Sequence, residues 1–193
     1  MSGIIDLLTN GRRAHQLKDP QARADTHTGV HGSVDTTEEL ATYDLVNEPV
    51  DETYRGLLRA AVDGCASFLF VVRAGIPVAE SVHALIDALD PELISASQES
   101  EWPGTELLGH TETVYRFTLT NEALEHLASA TDRLYAWLQP DLPEDLCFLR
   151  SDGSPWLATI SHERDGFLVL SQAEKAYLAD LVPDLALTTQ RST

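Results

Sequence analysis

The sequence predicts an α+β domain whose sheet is mixed or antiparallel, with about five to six strands and helices packed mainly on one face. Helical and strand periodicities alternate through the first part of the folded region. The stretch LPEDLCFLRSDGSPWLATISHERDGFLVL, residues 142–170, then holds three short apolar runs separated by two Asp-Gly pairs. That spacing reads as a three-strand meander, because a tight hairpin turn needs a positive φ and glycine supplies it. The runs leave no room for the crossover helices of a doubly wound parallel sheet.

Taken in order, residues 1–17 place Ile4, Leu7, Leu8 and His15 at helical spacing, so a short amphipathic helix is expected there, weakened by Gly11. Residues 18–42 are polar, including THTGVHGSVDTTEE, and have too few apolar groups to offset the entropy of ordering; a flexible linker is expected. One α+β domain is expected over 43–182, and 183–193 reads as a frayed tail. Within the domain, Tyr54, Leu57, Leu58, Ala61 and Val62 share one face of a helix over 51–62, which Asp63-Gly64 ends. Residues 66–73 are β-prone on both faces, as in a central strand. Pro77 sits near the start of a helix over 78–89, where its missing N–H costs nothing. A short edge strand is expected over 93–97, then a loop, SQESEWPGTELLG, with Pro103-Gly104 in a turn. Residues 111–119 alternate as a strand with one polar face. Thr120 or Asn121 caps a helix running to Leu138, with Leu124, Leu127, Leu134 and Leu138 inward, and Pro140 and Pro143 stop it. After the meander, Ser171 caps a last helix to Leu181.

Composition narrows the function classes. A chain of 193 residues with 43% apolar content has enough material for one domain with a real core. No apolar run approaches the roughly 20 residues of a membrane helix, and the N-terminus lacks the pattern of a secretion signal. A cytoplasmic protein without membrane association is expected. Lys occurs only at Lys18 and Lys175, with Arg otherwise and abundant Ala, as in GC-rich bacterial coding sequences. Cys65 and Cys147 match no metal or redox spacing and read as reduced, buried thiols. The net charge of −18 repels nucleic acid and anionic membrane and favours solubility or a basic partner.

The residues able to do chemistry gather in the meander. With Asp152-Gly153 as a two-residue turn, Asp145 falls opposite Ile160, which brings His162 near Glu144, Asp145 or Glu163. A carboxylate beside an imidazole is the geometry a general base needs, although acidic strand ends beside a surface His look the same. Cys147 pairs near Ala158 and shares a sheet face with Leu149, away from His162. Cys65 follows a helix and opens a strand, the wrong order for an activated nucleophile. No catalytic residue is therefore assigned. The pairs Glu80/His83, His110/Glu112 and Glu122/His126 supply two ligands each, and two ligands do not make a metal site. His27 and His31 are adventitious ligands at most. Neither a metal site nor a cofactor is expected, and phosphate-loop, dinucleotide, serine-esterase and zinc-protease motifs are missing from the sequence.

Aromatic residues complete the candidate set. Trp102, Tyr135, Trp137 and Trp156 stand at loops or element ends in acidic surroundings, the composition of a protein-binding patch. Plugging the open edge of the core is the competing use of the same residues. With Asp145 and His162 they make six candidate binding residues.

The run of residues 142–170, with SEWPGTELLG and RLYAWLQPDLPEDL upstream, resembles a family of small bacterial proteins to which no activity attaches. The resemblance covers roughly residues 50–180 and transfers no functional residue. Size and acidity are similar to those of immunity proteins and toxin inhibitors. The expected function is a non-enzymatic, acidic protein-interaction module of the immunity, inhibitor or adaptor kind. It would bind a basic protein, with a homodimer allowed. The alternatives are a small hydrolase or isomerase using His162 with a neighbouring carboxylate, and a small-molecule sensor with an apolar cavity.

Overall fold

Residues apolar on both faces belong in the middle of a sheet, and SFLFVV sets the pattern here. Its Phe68 and Phe70 point to one side and Leu69 and Val71 to the other, all fully buried. The structure, a computed structural model, describes residues 39–189. The helix expected over 1–17 and most of the linker expected over 18–42 lie outside the described residues, as do the last residues of the tail.

The strands are β1 (Ala41–Leu45), β2 (Ser67–Val72), β3 (Leu93–Glu99), β4 (Glu101–Trp102), β5 (Thr105–Glu106), β6 (Glu112–Thr118), β7 (Glu144–Leu149), β8 (Pro155–Ile160), β9 (Asp165–Leu170) and β10 (Leu187–Thr189). Eight of them form one antiparallel sheet in the order β10-β1-β9-β8-β7-β2-β6-β3, and β4 pairs with β5 as a separate hairpin. The helices are α1 (Asp51–Gly64), α2 (Glu80–Ala88), α3 (Asn121–Ala130) and α4 (Gln172–Leu181).

The main core lies between sheet and helices. Phe68 stacks on Phe117 with ring centroids 5.1 Å apart, and Phe148, Leu157 and Leu168 extend that layer under Tyr54, Leu57, Leu127 and Leu178 of the helices. Each fully buried side chain of this size contributes about 1.5–3 kcal/mol. A smaller core covers the other face, where Trp102 of the β4–β5 hairpin lies on Leu69, Val71, Val114, Cys147, Leu149 and Ala158. The helices thus pack on one face, and the hairpin protects part of the second.

The sheet is larger than the five to six strands expected, because both ends of the domain join it. β1 pairs with β9 and with β10, burying Tyr43 and Leu45 on alternate positions. Residues 41–42 are therefore strand rather than linker, and residues 187–189 are strand rather than frayed tail. The expected loop at SQESEWPGTELLG contains the β4–β5 hairpin, with Gly104 at φ +86 in its tip.

Two further expectations change for local reasons. Helix α3 is capped by Thr120, whose hydroxyl accepts from Ala123 N at 3.1 Å, but it ends at Ala130 rather than Leu138. There Thr131 is extended, Val50 bridges to Arg133, and the Leu134 amide donates to the Pro49 carbonyl at 3.0 Å. Those bonds end the helix, and Leu134 and Trp137 are fully buried in the core beyond it. In the meander, Asp165-Gly166 is not the second turn. A single 3-10 turn over Ser161–Glu163 with Arg164 at φ 54 makes that connection. Gly166 lies within β9 instead, paired with Thr159, where a Cβ would stand 3.1 Å from the Ala158 carbonyl oxygen. Ser171 caps α4 in a reciprocal capping box with Glu174.

Candidate functional site

Strand β7 begins with two carboxylates, Glu144 and Asp145, at a point where its register with β2 slips between Leu69↔Cys147 and Val71↔Glu144. The slip is a bulge, and Asp145 occupies it at φ 57, a left-handed conformation that Asp tolerates better than most residues. The bulge turns the Asp145 side chain into a fully buried position where three elements meet. Its Oδ2 accepts from Trp102 Nε1 at 3.0 Å and from the Arg73 guanidinium at 3.4 Å, and its Oδ1 accepts from the Ser161 amide at 2.9 Å. Hairpin, central strand and 3-10 turn are tied to one carboxylate.

Arg73 follows β2 and binds Glu144 Oε2 through its Nε, with its guanidinium 5.5 Å from the Trp102 ring centroid. Gln139 holds Arg73 by its backbone, accepting from the Arg73 amide at 2.6 Å and donating to the carbonyls of Arg73 and Ile76 at 3.3 and 3.1 Å. Beside it, buried Glu112 accepts from the Ala74 amide at 2.5 Å. Burial pushes the Glu144 carboxyl above the usual range; the Arg73 charge and hydrogen bond oppose that rise, Asp145 adds to it, and His162 subtracts from it. Two carboxylates share one guanidinium.

His162 stands on the 3-10 turn beside this cluster, with its side chain 46% exposed and Nε2 3.8 Å from Glu163 Oε1. One donor atom each from Glu144, Asp145 and His162 lies within 4.8 Å of the other two. Of the six candidate residues, the structure therefore brings Trp102, Asp145 and His162 together. The other three lie elsewhere. Trp137 is fully buried, donates through Nε1 to the Tyr54 hydroxyl at 3.0 Å, and stacks on Phe70 with centroids 6.2 Å apart. Trp156 is buried in the helix-side core, and Tyr135 is buried with the Arg164 guanidinium over its ring at 5.8 Å. Trp102 is buried as well. Of the two uses the sequence left open for these rings, a binding patch or a plug for the core, the structure has the second: each ring packs inward, and the Trp102 and Trp137 indoles find internal acceptors.

Both cysteines are free. Burial pushes each thiol up to about 12, and Cys147 lies in the hairpin-side core, donating to the Asp145 carbonyl at 3.3 Å. Neither is a nucleophile at neutral pH. The ligand pairs Glu80/His83 and Glu122/His126 sit exposed on α2 and α3, while His110 Nε2 lies 3.9 Å from Glu112 Oε1.

Two open concavities of about 520 and 530 Å³ flank this region. One is formed by the β4–β5 hairpin with Pro155, the other by residues around Tyr135, Gln139 and Asp141, and His162 lines neither. The hydrolase or isomerase alternative requires a concave pocket at His162 and gains no support from these two. No helix among the described residues is long and apolar enough to cross a membrane.

Sequence reasoning missed Arg73 and Gln139, and it offered Glu112 only as a ligand paired with His110, not as the acceptor of the Ala74 amide. Arg73 carried a faint signal, a lone charge closing an otherwise apolar central strand. Gln139 carried none. No protein-family model, no curated protein and no solved structure matches this chain.

Proposed function

We propose that this chain is an acidic protein-binding module that accepts a basic, extended segment of its partner along the β3 edge of the sheet. The observation that carries the reading is the chemistry of that edge. β3 ends the sheet, and no described strand pairs with its outer side. An uncovered edge offers a row of backbone N–H and C=O groups to an incoming strand, and edges that must stay free are commonly guarded by Lys or Pro. Here residues 92–101, ELISASQESE, contain neither. Leu93 and Ile94 are exposed on the strand, and every charged side chain from Asp90 to Glu101 is a carboxylate.

Backbone pairing would give affinity, Leu93 and Ile94 would take apolar side chains, and the carboxylates of Asp90, Glu92 and Glu101 would select Lys and Arg, Glu99 being paired with Arg116. The test uses a synthetic peptide alternating Val or Thr with Lys and Arg, and a control with Glu in place of the bases. Anisotropy should show binding of the basic peptide alone, weakened by salt. The double variant Ile94→Lys, Gln98→Lys should abolish it while remaining folded. Equal binding to that variant would show that the peptide is held by general charge and not by this edge.

A further inference from the structure

We propose that the concavity beside the β4–β5 hairpin takes one arginine side chain of the basic segment that docks on β3. This subsite rests on the docking at β3 and adds the point at which the partner's guanidinium is read.

Two carboxylates form its rim. Glu101 and Glu106 are directly opposed partners in the hairpin, and both are exposed. Like charges facing each other across a strand pair destabilise it, and a cation beside them removes that cost. No described Lys, Arg or His pairs with either carboxylate. Arg73, whose guanidinium lies against the Trp102 ring, is engaged by Glu144 and Asp145, and Arg116 is engaged by Glu99.

A second observation points to a ligand inside the rim. Thr105 lines the same concavity, and its Oγ1 is buried without a hydrogen-bond partner. Among the described residues it is the one buried side-chain oxygen or nitrogen left in that state. Buried polar atoms are ordinarily bonded, so an idle hydroxyl calls for a partner. Trp102, Pro103 and Pro155 supply apolar wall, the surface against which the stem of a long cationic side chain lies. The space, about 520 Å³, admits such a side chain together with water. A guanidinium carries more N–H donors than an ammonium, sets them in a planar fork, and gives up water more readily. Arginine is therefore the better occupant where acceptors are divided between rim and interior.

The hairpin is held in place before any partner arrives. Trp102 Nε1 donates to Asp145 at 3.0 Å, and at the tip a Cβ on Gly104 would stand 3.2 Å from Ile160. Only Ser100 separates β3 from β4, so a segment lying along β3 has one end where the hairpin begins.

The test titrates the full chain with extended peptides of Val or Thr alternating with Lys. Each carries a single Arg, at the N-terminal end in one and at the C-terminal end in the other, because an added strand pairs in either direction. Matched peptides carry citrulline, the neutral isostere, in place of Arg. Anisotropy reads affinity, and amide exchange over Leu93–Glu99 reads docking on β3. For one of the two Arg peptides, citrulline should weaken binding about tenfold and Lys about threefold. Glu106→Gln, at an exposed position, should weaken that Arg peptide about threefold and leave its citrulline counterpart unchanged. Glu125→Gln, the same charge change on exposed α3, should alter neither. If the peptides protect β3 but neither citrulline nor Glu106→Gln changes affinity, the arginine subsite is overturned and the β3 edge stands. If no peptide protects β3, the docking reading fails and the subsite fails with it.

Discussion

Replacing Asp145 with Ala removes the acceptor that joins β2, the β4–β5 hairpin and the 3-10 turn. Three donors lose it: the Trp102 indole, the Ser161 amide and one arm of Arg73. Each buried donor left without an acceptor costs about 1–3 kcal/mol, and breaking a buried ion pair costs about 3–5 kcal/mol. Those figures overlap, and Arg73 keeps Glu144, so they combine to about 4 kcal/mol. Alanine at φ 57 adds about 1 kcal/mol, because its Cβ crowds the carbonyl oxygen in that conformation. Asp145→Asn keeps the shape, tolerates the left-handed backbone and retains one acceptor oxygen, so its cost is smaller, about 2 kcal/mol. Against a total stability on the order of 5–15 kcal/mol, the alanine variant should be severely weakened and the asparagine variant moderately so. Urea unfolding followed by circular dichroism measures both, read as a shift in midpoint at constant slope. A loss below about 1 kcal/mol for Asp145→Ala would refute the placement of this carboxylate as the tie between the three elements.

Three other perturbations have defined outcomes. Trp137→Ala should cost about 3–5 kcal/mol in urea unfolding, and Trp137→Phe about 2 kcal/mol, because it keeps a ring against Phe70 but leaves a cavity and loses the bond to Tyr54. The Glu99 carboxyl is held below its ordinary range, first by the Arg116 hydrogen bond, so its contribution is complete above the unfolded carboxylate range and disappears as pH falls through the lower folded value. Glu99→Gln should flatten that part of the acid limb by less than about 1 kcal/mol, since the pair is partly solvated, and stability measured across acid pH checks the sign. At neutral pH Cys147 should react with a thiol reagent only as fast as the protein opens, and a fast phase in the native state would contradict its burial.

The parts of the fold legible in the sequence were those whose pattern is local. β2 announces itself by bulk on both faces, and Thr120 and Ser171 announce the helices they cap. β1 was concealed because its alternation, ATYDL, adjoins a polar stretch and buries only Tyr43 and Leu45. β10 is three residues, LTT, held by backbone pairing to β1 and not by any apolar period. The helical spacing of Leu134 and Leu138 continues that of α3, and only the bonds to Pro49 and Val50, far back in the chain, show where the helix stops.

The site divides the same way. Turn arithmetic from Asp152-Gly153 brought His162 to the Glu144–Asp145 end of β7, and the structure puts their donor atoms there. The bulge at Asp145 and its partners Arg73 and Trp102, 72 and 43 positions away, depend on tertiary packing that no local pattern encodes. Aromatic residues at element ends look alike in sequence whether they face water or core. Only the internal acceptors of Trp102 and Trp137 decide it.

Docking of a basic segment on the β3 edge is tested most directly by hydrogen–deuterium exchange of the amides over Leu93–Glu99. Exchange is followed in the free protein, with the basic extended peptide, and with its glutamate counterpart. Slowed exchange across β3 with the basic peptide alone is the expected result. Unchanged exchange at β3, with the peptide bound and protection appearing on another element, would contradict the proposed function.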